Sequence, residues 1–191
     1  MLCLLLLPAL LVACKGRKKE AADPAEFIPI TSFLRGQVAQ MDSSVATILK
    51  IEKSDTSRPD TAYLRRDEFK TWAKPFLDLP EISDEKWRDD YEVTNMYDDL
   101  MKAYIFTYTT HEEDAEIKKQ DVIVEPAAEG NNNIRAVNID KWSLRGKTVV
   151  QQNMLWETGS RFLIVTKVSQ PGETEKVKTL EVKWIEKPEG F

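Results

Sequence analysis

The chain has 191 residues, with 27 Lys and Arg set against 32 Asp and Glu for a formal net charge of −5. That length bounds the molecule to one domain, or one domain with an accessory element. The acidic balance excludes a general nucleic-acid binder, which carries a basic face. A hydrophobic content of 42% with five Trp suffices for a substantial core.

Residues 2–13 form an uncharged apolar run. A helix needs about 20 apolar residues to span a bilayer, so this run has the length of a secretory h-region, with small Ala13 before the expected cut. Cys14 follows, and polar sequence follows Cys14. Leu11-Val12-Ala13-Cys14 resembles the lipobox of bacterial lipoproteins. The resemblance implies that residues 1–13 are a signal peptide and that Cys14 carries diacylglycerol on sulfur, with palmitate among the acyl chains. It also implies anchoring in the cell envelope, with the outer membrane, facing the periplasm or the cell surface, as the expected address. Cys3 leaves with the signal and no cysteine follows Cys14. The body therefore has no disulfide, thiol nucleophile or thiolate metal site. Lys15-Gly-Arg-Lys-Lys19 is basic, and residues 20–26 are small and acidic with Pro24. Residues 14–26 read as a lipidated tether that holds the body off the membrane.

Ile30, Phe33, Leu34, Val38 and Met41 recur at helical spacing and predict a helix over 27–41. Alternation of Val45, Thr47, Leu49 and Ile51 predicts a strand over 45–53. Residues 54–60 read as a loop, and Asp60 or Thr61 is placed to cap a helix over about 62–73. Pro75 is expected to kink or end that helix, because it removes a donor and crowds the preceding turn. Ser83 predicts the N-cap of a short helix to residue 90, anchored by Trp87.

From about residue 93 the apolar runs become β-branched and aromatic, and turn signals recur. Six strands are predicted, over 102–110, 117–125, 134–142, 147–156, 161–169 and 176–186. Residues 93–101 extend the first strand or stay irregular. The connections are too short for crossover helices, so neighbours must be antiparallel. The expected fold is α+β: one domain over 27–191, with a helical part over about 27–92. Its helices pack on the concave side of a strongly curved antiparallel β-meander of about six strands, over about 93–187.

Little in the sequence points to chemistry. The single histidine, His111, lies in Thr-His-Glu-Glu-Asp, between two predicted strands. A catalytic or metal-binding reading of His111, Glu112, Glu113 and Asp114 competes with an ordinary polar turn, and the turn is favoured. Seven scattered Gly assemble no phosphate-binding loop, and no Gly-x-Ser-x-Gly stretch is present. Adjacent carboxylates such as Asp89-Asp90 and Asp98-Asp99 suit solvated faces. No catalytic residue, metal ligand or cofactor is therefore expected, and the chain is read as a non-enzyme. The aromatic set is ambiguous. Tyr104, Phe106, Tyr108, Trp156, Phe162 and Trp184 either face an apolar ligand in the concavity of the sheet or fill the core, and core filling is favoured.

In organisation the chain resembles small envelope lipoproteins of Gram-negative bacteria of the Bacteroidota type. The resemblance extends to stretches such as Asp98-Asp-Leu-Met-Lys-Ala-Tyr-Ile-Phe-Thr-Tyr-Thr109 and Leu155-Trp-Glu-Thr158. It transfers no active residue. The expected role is a membrane-anchored interaction or assembly component with an envelope protein as partner. A carrier of an apolar small molecule is the alternative, and a carboxylate-dependent hydrolase a remote one.

Overall fold

A computed structural model describes residues 27–55, 57–126 and 133–185. Cys14, the signal segment and the tether lie outside the described residues. Among the described residues no helix is long and apolar enough to cross a membrane.

The described chain is dominated by one antiparallel sheet of nine strands, accompanied by few helices. The strands are β1 (Thr47–Ser54), β2 (Asp60–Leu64), β3 (Glu92–Asp98), β4 (Ala103–Thr109), β5 (Ile117–Glu125), β6 (Asn133–Arg145), β7 (Thr148–Glu157), β8 (Arg161–Ser169) and β9 (Lys176–Ile185). The helices are α1 (Ile30–Met41), α2 (Arg66–Leu77) and the single turn α3 (Glu85–Arg88). The sheet order is β2-β1-β9-β8-β7-β6-β5-β4-β3. The expected six-strand meander is thus too small. Strands β4–β9 match the six predicted segments, but β3 precedes them and β1 pairs with β9 along its whole length.

Two corrections have clear physical causes. The helix expected from residue 62 begins only at Arg66, because Thr61–Leu64 are paired to β1, with Leu64 opposite Ile48. Cross-strand pairing overrides a cap signal that is local in sequence. The Glu68 carboxylate instead accepts the Arg65 N–H at 2.7 Å at the true helix start. Pro75 does not end α2, which runs on to Leu77. Phe76 is fully buried against Trp156 and Phe162, and this packing keeps the last turn helical.

The core lies between α1, α2 and the 79–91 segment on one side and the inner face of the sheet on the other. Ile30, Leu34, Val38 and Met41 present one buried stripe of α1, and Phe69, Ala73 and Phe76 that of α2. A carboxylate distant in sequence completes α1. Glu81 accepts from the N–H groups of Ile30 and Ser32 at 3.1 and 3.0 Å, satisfying donors that a helix start leaves free.

Candidate functional site

Ring geometry sorts the aromatic set. Trp156 and Phe162 are opposite one another in register and stack with centroids 5.4 Å apart at 15°. Trp184 lies 5.5 Å from Trp156 and 5.1 Å from Phe69, and Phe76 closes on Trp156 edge-on at 5.2 Å. These rings face the rings of α2. Tyr108 is buried against Phe27, and its hydroxyl accepts the Ile28 N–H at 3.2 Å. Phe106 is half-buried against the same cluster. Tyr104 is 42% exposed and packs edge-on against Tyr97 at 5.0 Å.

The register carries the inner face past the helices into a polar row. Ser54, Lys178, Thr166, Gln152 and Lys141 are opposed in turn across β1, β9, β8, β7 and β6. Gln152 donates to the Thr166 hydroxyl at 3.2 Å. Lys141 reaches Glu116 at 2.6 Å with its side chain only 14% exposed. One step towards the core, Glu52 lies between Lys50 at 2.6 Å and Lys178 at 2.8 Å. Those two ammonium groups, Lys178 foremost, hold the Glu52 carboxyl below its ordinary range. Lys50 is buried and sits 4.2 Å over the Trp72 ring. Gln120, 3% exposed on the same face, has an amide nitrogen with no hydrogen-bond partner among the described residues. Ser54, Lys178 and Thr166 of this row also line a cleft with Val168 and Lys176 among others.

Sequence reasoning did not find this row. The alternation of Val45, Thr47, Leu49 and Ile51 marks the strand correctly, yet Ile48 and Lys50 are the buried positions, opposite Trp184 and Val182. The signal was present as Lys50 and Glu52, two residues apart and so on one side of a strand.

The two sheet edges differ. β2 is five residues long and follows Pro59, with Arg58, Arg65 and Arg66 close by. Short length, proline and flanking cations all discourage further strand pairing. β3 is seven residues long and contains no Pro, Lys or Arg. Around its hairpin with β4, Met96, Tyr97, Leu100, Met101 and Tyr104 are 60%, 42%, 96%, 42% and 42% exposed. The turn between them is well made. Asp98 accepts from the N–H groups of Leu100 and Met101, both at 2.8 Å, and Lys102 takes a positive φ of 52°.

The acidic segment around His111 is organised by a lysine. Lys118 donates to the carbonyl oxygens of Glu112 and Glu113, both at 2.8 Å. His111 is exposed, with Glu92 at 4.0 Å as its nearest carboxylate partner. Among the described residues no group of three or more His, Cys, Asp or Glu is arranged to hold a metal ion. Of the adjacent carboxylates, Asp98 serves the hairpin turn and Asp99 faces Lys102 at 3.6 Å.

No family model and no curated protein matches the chain. Among solved structures it is similar to an S-type phycobiliprotein lyase from Guillardia theta, at 8% identity and a TM-score of 0.28. That match covers 86% of this chain and 96% of the other, and at this level it carries neither fold nor activity across.

Proposed function

We propose that the protein is a lipid-anchored, non-enzymatic interaction component of the bacterial cell envelope. The observation that carries the reading is the exposed apolar hairpin of β3 and β4. Met96, Tyr97, Leu100, Met101 and Tyr104 cluster there, while the interior beneath the helices is filled by rings. Clusters of exposed large apolar side chains mark association surfaces. The lipobox-like Leu11–Cys14 stretch supplies the anchor in this reading.

The test is affinity capture from detergent-solubilised envelopes, with lipid analysis of the eluate. The wild-type protein should retain a protein partner that Met96→Lys with Leu100→Lys loses at unchanged melting temperature. Cys14→Ser should release the protein from membranes. Retention of one small molecule with no protein partner would contradict the reading.

A second reading has its own support. The buried Gln120 Nε2, without a partner among the described residues, and the Gln152–Thr166 pair give the inner face polar groups able to orient a small ligand, and Thr166 also lines the cleft with Val168. A co-purifying small molecule displaced in Gln152→Leu would favour it.

A further inference from the structure

We infer that β3 is a docking edge, and that it takes an extended segment of a partner protein, apolar in the middle and cationic at its ends, as a tenth strand. The inference rests on the interaction reading above and specifies its mode. Among the described residues, β3 pairs only with β4, leaving the backbone groups on its other side to be met from outside. A free sheet edge is a template for strand addition unless it is blunted. β2 is blunted by its length and by Pro59, whereas β3 is longer, lacks Pro, Lys and Arg, and carries charge only at its two ends.

The side chains fit an added strand on both faces. Met96 lies opposite Ile105 on one face, and Tyr97 lies opposite Tyr104 on the other. A strand laid beside β3 would meet exposed apolar neighbours above and below the sheet near residues 96 and 97.

Charge decides between occupants. β3 begins at Glu92 and ends at Asp98, and Asp99 follows. Antiparallel pairing of two copies about Asn95 would place Glu92 of one copy opposite Asp98 of the other at both ends. Like charges directly opposed destabilise a strand pair. A partner strand with Lys or Arg at its ends meets complementary charge at the same positions. The edge therefore selects against self-pairing and in favour of a cationic-ended segment.

The experiment uses the full chain carrying Cys14→Ser. Three peptides of seven residues are titrated by fluorescence anisotropy. One alternates Val and Thr between terminal Lys residues, one replaces both Lys with Glu, and one is the Lys peptide methylated on alternate backbone nitrogens. The Lys peptide should bind, and the other two should bind at least about tenfold more weakly, the equivalent of about 1.4 kcal/mol. Glu92→Lys with Asp99→Lys, which spares the Asp98 turn, should reverse the preference between Lys and Glu peptides. Met96→Lys should weaken the Lys peptide by about tenfold or more without changing the melting temperature. Equal binding of methylated and unmethylated peptides, absence of the reversal, or no binding of the Lys peptide would overturn strand addition. So would a dimer of wild-type chains dissolved by Met96→Lys. If the peptides fail while Met96→Lys with Leu100→Lys still loses the captured envelope partner, strand addition falls and the interaction reading stands.

Discussion

The Lys50–Glu52–Lys178 group shows how one residue's surroundings set its worth. Lys50 is nearly fully buried, and Glu52 is the carboxylate that compensates it. Removing one partner of a buried pair leaves the other charge desolvated. Glu52→Gln should therefore cost about 1–3 kcal/mol in denaturant unfolding. Asp78→Asn, which breaks the exposed Lys74–Asp78 pair, should cost under about 1 kcal/mol. The acid side follows by linkage. Glu52 has a depressed pKa, so its contribution is complete above the ordinary carboxylate range and is lost as pH falls through the depressed value. Glu52→Gln should flatten that part of the stability profile, and an unchanged profile would contradict the assignment.

Tyr91 sets the alkaline side. Its hydroxyl donates to the Ile117 carbonyl oxygen at 2.8 Å. Burial first, then the neighbouring charges of Asp90 and Glu116, pushes its pKa from 10 up to about 12. Because the folded state holds the neutral phenol, the contribution is complete below pH 10 and is lost as pH rises towards 12. Phenolate absorbance of the folded protein should include a titration near pH 12 that Tyr91→Phe removes. A titration curve unchanged by Tyr91→Phe would refute this.

At the scale of elements, helix α1 and the six strands β4–β9 were legible because their signals are local. Ile30, Leu34, Val38 and Met41 keep a helical period, and β-branched runs broken by short turns leave antiparallel pairing as the geometric choice. The misread elements depend on partners far away in sequence. β2 exists because Asp60–Leu64 finds β1, and α2 passes Pro75 because Phe76 finds Trp156 and Phe162. Glu81 at the start of α1 is likewise 51 residues from Ile30. Gly36 is a place where local propensity acts alone. It is exposed mid-helix, and a Cβ there would meet nothing within 4 Å. Gly36→Ala should stabilise the protein by about 0.5–1 kcal/mol. A destabilisation would mean that the position is covered.

For the whole molecule, the aromatic content was visible in the sequence, but its division was not. Trp156, Phe162 and Trp184 face helix rings because α2 lies across β7, β8 and β9. Tyr104 shares a strand face with Phe106 and Tyr108, yet stands exposed beside Tyr97. The nine-strand order puts β3 and β2 at opposite margins, and only that order reveals which segment is an unprotected edge. Strand alternation alone gives faces, not neighbours.

We propose the β3–β4 hairpin as the surface through which the protein meets a partner. The most direct measurement places a photo-crosslinking amino acid at position 96 or, as the control on the opposite edge, at position 63, in intact envelopes. A discrete protein adduct is expected from position 96 and is lost with Cys14→Ser, with little or none from position 63. Equal adducts from both edges, or none from position 96, would contradict it.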